Sequence, residues 1–216
     1  MKILFFGDSI TDMGRNRDHD PLLNNFSSLL GTGFPYCIAG DLSRGNPHEY
    51  KVINVGCGGD RIVDLYARVK KDVWNYEPDV ITILIGTNDV WHELYTHPNG
   101  VDIRRYDRIY RMLIEDTLKV LPNVKIIIMG SFLLDGSDTH DHWDYLVSIK
   151  DYALIAQKIA KDYNLPFVEL QEVFDKQAEK YGSEVYLGDG IHPTAAGARL
   201  IADEWIKVFN REVLNK

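Results

Sequence analysis

The sequence predicts an α/β protein: a parallel sheet with helices on both faces. Three observations lead there. Short apolar runs alternate with amphipathic stretches five times along the 216 residues. The apolar runs are continuous rather than alternating, as in strands buried on both faces. Three of them end abruptly in loops that carry glycine with small or reactive residues, as turns from strand to helix do.

The first run, Ile3-Leu4-Phe5-Phe6, is long enough for a buried strand and far too short for a membrane span. It stops at Gly7, and Asp8-Ser9-Ile10-Thr11-Asp12 follows. Residues 11–20 read as a polar loop. Apolar residues at helical spacing (Leu22, Leu23, Phe26, Leu29, Leu30) predict a helix over 21–30, stopped by Gly31 and Gly33. Residues 31–49 mix glycine, proline and polar side chains and show no clear element.

The second strand is expected at 50–55 and ends in Gly56-Cys57-Gly58-Gly59. Asp60 is placed to cap a helix whose buried face holds Ile62, Leu65, Val69, Val73 and Trp74. The third strand, Val80 to Ile85, is the most apolar and stops at Gly86-Thr87-Asn88-Asp89. A polar loop to Gly100, a helix over 102–121 and a fourth strand over 124–129 come next. A second polar loop, 130–144, precedes a helix over 145–163. A short fifth strand over 166–170, a helix near 171–180 and a last helix over 194–213 complete the chain. No repeat or linker interrupts it, so residues 1–216 are expected to form one domain.

Composition narrows the function. The formal charge of −8 argues against nucleic acid as a partner. Two cysteines, Cys37 and Cys57, read as free thiols in a reducing compartment. The N-terminus lacks a signal-peptide core, and no run is long enough for a membrane helix. A cytoplasmic protein without membrane contact is expected. The oligomeric state stays open, a homo-oligomer included.

The loops after the first three strands must be neighbours on one edge of a parallel sheet, where such sheets bind ligands. Ser9 is a weak nucleophile until a base takes its proton, and histidine is the usual base. Asp189 and His192 stand at i and i+3, so one tight loop supplies a base and the carboxylate that orients it. Attack on an acyl carbonyl creates an oxyanion. The Ser9 N–H, a glycine N–H from Gly58-Gly59 and the Asn88 amide are donors for it.

Four blocks together resemble the SGNH hydrolases, or GDSL esterases: G-D-S-I-T-D at 7–12, N-x-G-x-G-G-D at 54–60, G-T-N-D at 86–89 and D-G-I-H-P at 189–193. They occur in that family's order and span most of the chain. The resemblance implies a three-layer α/β/α sandwich on a five-stranded parallel, flavodoxin-like sheet. It implies Ser9 as nucleophile, Asp189 and His192 as its partners, and Ser9, Gly59 and Asn88 as the oxyanion donors. It implies a small-molecule ester as substrate and no cofactor or metal. The flanks G-D-S-I-T-D-M-G-R, L-G-T-G-F and G-T-N-D-V-W look most like carbohydrate acetylesterases, including those acting on acetylated xylo-oligosaccharides. The last block departs from that subgroup, with Gly188 where an aromatic residue precedes the aspartate.

Arg15, Trp91 and Trp143 lie in loops at the expected active edge and are candidates to contact substrate, the tryptophans by stacking on sugar rings. His92, Tyr95 and Phe132 share those loops. His140-Asp141-His142 has the look of a metal cluster, yet such alternation in a polar loop is ordinarily solvated. A short-chain lipase is the nearest alternative function. A metal phosphoesterase would use Asp8, Asp89, His92 and His192 and leave Ser9 idle. A non-catalytic module would need no Ser–His–Asp set at all.

Overall fold

The computed structural model describes residues 1–20, 22, 27–45 and 47–215. Five strands form one sheet: β1 (Lys2–Gly7), β2 (Lys51–Asn54), β3 (Val80–Leu84), β4 (Lys125–Met129) and β5 (Phe167–Val168). All pairs are parallel and the order is β2-β1-β3-β4-β5. The α-helices among the described residues are α1 (Ser9–Asp12), α2 (Ser27–Leu30), α3 (Phe34–Ser43), α4 (Ile62–Asp72), α5 (Thr87–Trp91), α6 (Ile103–Val120), α7 (Trp143–Leu146), α8 (Ile149–Asp162), α9 (Gln171–Tyr181) and α10 (Ala195–Val208). The strand order reverses between β1 and β3. That reversal opens a crevice at their carboxyl ends, where open α/β sheets bind ligands.

The strands are largely apolar because successive side chains enter opposite layers, and both layers are buried. Leu4, Phe6, Ile81, Ile83, Ile126 and Ile128 face one core, closed by Leu65 and Val69 of α4, Tyr106 and Ile114 of α6, and Ala156 and Ile159 of α8. Ile3, Phe5, Val52, Ile127 and Met129 face the other, closed by Phe34 and Ile38 of α3, Phe174 of α9, and Ile201 and Trp205 of α10. Thr82 is the one polar side chain of β3, and the buried Trp205 indole donates to its hydroxyl at 2.9 Å. Both polar groups are thereby satisfied where no water reaches them.

The sandwich and the five strands agree with the sequence expectation; several boundaries do not. Residues 34–43 are helical, with Pro35 in the first turn of α3. Of the helix expected over 21–30, only Ser27–Leu30 is helical among described residues, and 21 and 23–26 lie outside them. The loop after β3 begins with the short α5, followed by a 3₁₀ turn at His92–Leu94. The helix expected over 145–163 is split into α7 and α8 at Val147-Ser148. The last helix ends in a π turn, Phe209–Val213. Asp60 does not cap α4: Arg61 is the N-cap, and its N–H goes to Asp64 Oδ2 at 2.9 Å.

Candidate active site

Ser9 opens α1, directly after β1. A Cβ at Gly7 would come within 2.4 Å of the Leu84 carbonyl oxygen and of Thr11 Oγ1, so only glycine lets the strand turn there. Asp8 caps α1, accepting the Ile10 N–H at 3.0 Å, and Met13 ends the turn at φ 40°.

The turn is braced from β2. Asn54 is fully buried; its amide donates to the carbonyls of Thr11 at 2.7 Å and Leu30 at 2.8 Å, and its Oδ1 accepts the Gly56 N–H at 2.9 Å. Asp12 accepts the Gly58 N–H and also holds Arg17. Arg68, on α4, donates to the Val55 carbonyl at 2.8 Å and the Gly7 carbonyl at 3.2 Å, tying the ends of β2 and β1 together. Its guanidinium also pairs with Asp60 at 2.6 Å and lies over the Phe6 ring. No sequence pattern marks that role, since a mid-helix arginine reads as a solvated charge.

His192 reaches Ser9 from the other end of the chain. Its Nε2 lies 2.9 Å from Ser9 Oγ, and its Nδ1 lies 2.6 Å from Asp189 Oδ2. Asp189 Oδ1 accepts the N–H groups of Ile191 at 2.8 Å and His192 at 2.7 Å. With Nδ1–H held by the carboxylate, Nε2 is left to accept the serine proton. Gly190 sits at φ 98°, and a Cβ there would meet Thr139 Oγ1 at 2.3 Å and the Leu134 carbonyl oxygen at 2.6 Å. Glycine is therefore required on both steric and conformational grounds.

The ionisation of the pair follows from this geometry. Burial raises the Asp189 carboxyl, but the hydrogen bonds from the His192 ring and from two main-chain N–H groups outweigh it and hold the pKa at about 2. The same bond to Asp189 is the largest influence on His192 and raises its pKa above the ordinary value.

The other two loops face Ser9. Gly59 lies at φ 86° with open space where a Cβ would stand, so conformation rather than crowding selects glycine. Asn88, in α5, anchors one amide hydrogen on the Asp60 carbonyl at 3.1 Å and keeps a second for a ligand. Asp89, beside it, is fully buried and accepts the Ile62 N–H on both oxygens, at 3.1 and 3.2 Å, serving the start of α4.

A cavity of about 290 Å³ collects Ser9, Gly59, Asn88, Asp189 and His192, together with Thr87, Trp91, Tyr95, Asp138 and Ile191. Trp91 thus stands in the wall, as the sequence reading expected. Arg15 and Trp143 do not line it. The Arg15 Nε donates to the Gly56 carbonyl at 2.8 Å, and Trp143 starts α7 and packs against the core that covers α6 and α8. Asp138 was not a sequence candidate; nothing in a lone loop aspartate marks it. Cys57 sits close by, but burial pushes its thiol upward, away from the nucleophilic form. His140 pairs with Asp135 at 2.9 Å on the surface.

Known proteins resemble this chain in sequence and in fold. Residues 5–200 match the model of the GDSL-like Lipase/Acylhydrolase family. An acetylxylan esterase of Geobacillus stearothermophilus is 32% identical over 217 residues, covering 98% of this chain and 93% of that one. A crystal structure of that esterase superposes with a TM-score of 0.83 at 31% identity, over 95% of this chain and 92% of the other. A Parabacteroides merdae protein assigned as a GDSL-like lipase superposes with a TM-score of 0.87 at 32% identity, over 96% of this chain and 94% of the other. Three solved variants of the Geobacillus esterase, each termed a catalytic mutant, replace a serine, an aspartate and a histidine by alanine.

Proposed function

This chain belongs to the GDSL-like lipase/acylhydrolase family and is a carboxylic ester hydrolase, and from that premise we propose that it removes acetyl groups from short neutral sugars, acetylated xylo-oligosaccharides first among them, through an acyl-enzyme on Ser9. The observation that carries the mechanism is the line from Ser9 Oγ to His192 Nε2 to Asp189, at 2.9 and 2.6 Å.

In the first half-reaction His192 Nε2 takes the Ser9 proton as Oγ bonds to the acyl carbon. Asp189 fixes the ring and steadies the imidazolium. The oxyanion accepts hydrogen bonds from the Ser9 and Gly59 N–H groups and from the free amide hydrogen of Asn88. His192 then protonates the leaving alkoxide, and the carbon–oxygen bond to the sugar breaks. In the second half-reaction water gives its proton to His192 and attacks the acyl carbon. Acetate leaves and Ser9 regains its proton.

Three features support a small acyl group on a sugar. The cavity, at about 290 Å³, is at the lower end for ligand pockets. Trp91 and Tyr95 offer flat apolar faces, while Asp138 offers a polar partner for hydroxyls. The relative of similar length is an acetylxylan esterase. Free thiols at Cys37 and Cys57 accord with a cytoplasmic setting. Among the described residues no helix is long and apolar enough to cross a membrane. Because Ser9 follows β1 and His192 precedes α10, catalysis takes the whole chain acting as one domain.

The test has two arms. A fluorophosphonate is expected to label the parent protein and not Ser9→Ala. Acetyl, butyryl and octanoyl esters of one alcohol are then compared, along with acetylated xylo-oligosaccharides. Octanoyl turnover above acetyl turnover would replace the acetylesterase with a lipase of longer acyl preference and leave the serine mechanism in place.

A further inference from the structure

Among the described residues, no lysine or arginine lines the catalytic cavity, and a carboxylate, Asp138, lines it besides the Asp189 that is occupied with His192. Asp138 is held there by construction. Its N–H donates to the Asp189 carbonyl at 3.0 Å, and Ser137 donates to its Oδ1 at 2.9 Å. On one side of it, Gly136 packs so closely on the catalytic loop that an added Cβ would come within 2.5 Å of the Gly190 nitrogen. On the other, Thr139 is buried, donating to the Leu134 carbonyl at 2.7 Å and accepting the Gly136 N–H at 2.8 Å. Leu134 in turn donates its N–H to the Gly190 carbonyl at 2.9 Å. The segment that carries Asp138 is thus fastened to the segment that carries Asp189 and His192. The main chain at Asp138 is thereby held beside the base, and the residue itself is exposed.

We propose that Asp138 is a specificity-determining residue: its charge turns away esters with a negative group near the acyl carbon and favours neutral or cationic alcohols. The proposal rests on Ser9 and His192 being the reacting pair. Coulomb repulsion at the wall of a pocket reached by solvent falls between the values for water and for the protein interior, and among the described residues no lysine or arginine in that wall offsets it. The exposed Oδ2 also accepts hydrogen bonds from sugar hydroxyls, which a neutral alcohol offers without repulsion. The general acidity of the protein acts on any anion at a distance and is screened by salt within about 10 Å at 0.1 M. Asp138 acts inside that distance, so its share survives moderate salt.

The experiment compares kcat/KM on phenyl acetate and on 4-sulfophenyl acetate, in the parent, Asp138→Asn, Asp138→Lys and, as a control, Asp141→Asn. Asp141 lies in the neighbouring exposed turn and changes the net charge equally without lining the cavity. Asparagine keeps an oxygen for the Ser137 hydroxyl, so the segment retains its shape. Taking the anionic-to-neutral ratio in each variant relative to the parent removes the intrinsic reactivities of the two esters. The ratio is expected to rise about fivefold to tenfold in Asp138→Asn and further in Asp138→Lys. Asp141→Asn should leave the ratio where it was. A ratio unmoved by Asp138→Asn, or moved equally by Asp141→Asn, overturns the proposal. Because aryl acetates carry no sugar, a failure to cleave acetylated xylo-oligosaccharides would count against the sugar reading alone. Loss of aryl acetate turnover without Ser9 labelling would instead remove the serine mechanism.

Discussion

The carboxylate of Asp12 accepts the main-chain N–H of Gly58 at 3.1 Å, joining the turn that carries Ser9 to the loop that carries Gly59. Asp12 is nearly buried, and it also accepts the Arg15 N–H at 3.2 Å and pairs with Arg17. Asp12 therefore helps to space Ser9 and Gly59, the proposed nucleophile and oxyanion donor, through a bond to Gly58. Asp12→Ala should lower kcat about tenfold to a hundredfold, with little change in KM, and cost about 2 kcal/mol of stability by leaving these donors unpaired. Asp12→Asn, which keeps an acceptor, should recover much of both. Steady-state kinetics with urea melts decide it; equal losses in the two variants would mean that charge, not spacing, is what Asp12 supplies.

Asn88 holds one amide hydrogen on Asp60 and has one to give. In the proposed mechanism its partner is charge that exists mainly in the transition state. Asn88→Ala is expected to lower kcat about 10²–10³-fold, equivalent to about 2.7–4 kcal/mol, with a smaller effect on KM. An effect confined to KM would assign Asn88 to ground-state binding.

The pH profile should belong to His192. The Asp189 bond raises its pKa above the ordinary 6.5, and the neutral ring is the form that accepts the Ser9 proton. Activity should therefore rise with pH through one ionisation above that value and be lost below it. Asp189→Asn should move the ionisation down and lower kcat at every pH. Profiles of kcat/KM for both proteins test this; an Asp189→Asn profile that keeps its midpoint would remove Asp189 as the orienting group.

A second titration should appear in stability. Asp8 is almost wholly buried, and burial lifts its pKa from 3.8 to about 7; Asp89 is lifted in the same way to about 8. In the unfolded chain Asp8 loses its proton near 3.8, in the folded chain near 7. Between those values the folded state binds the extra proton, so stability is fullest below the lower value and falls as pH rises through the higher one. Asp8→Asn keeps the cap on Ile10 and removes the ionisation. It should match the parent near pH 4 and exceed it near pH 8, by roughly 4 kcal/mol at most. Denaturant midpoints across that range give the answer. A variant weaker than the parent at every pH would mean the Asp8 carboxyl is needed as such.

The strands and the four reacting loops were legible because each strand is an unbroken apolar run that stops at small residues. The spacing of Asp189 and His192 implied a single tight turn, and the turn is there. The helix α3 was not legible, since Gly33, Pro35 and Gly40 read as loop. Proline in a first turn meets no missing partner, and glycine before it serves as the N-cap, so the same residues suit a helix start. Arg15 and Arg68 show a different limit. Both are loop-facing or helix-borne charges, and only the folded chain reveals that they are spent on the carbonyls of Gly56, Val55 and Gly7. Asp138 owes its place to Gly136 and Gly190 meeting across 54 positions of chain, a contact no local pattern encodes.

Ser9 and His192 are 183 positions apart. During synthesis the proposed nucleophile, Ser9, leaves the ribosome 183 positions ahead of His192 and stays inert until that base has been made. The sheet order places β1 between β2 and β3, and both of these neighbours precede β4 and β5 in the chain. The serine turn is then positioned while the hydrolase is still silent. Ester cleavage begins only when the segment before α10 closes over it, which makes activity a late clock for folding: in refolding it should trail the recovery of helix signal.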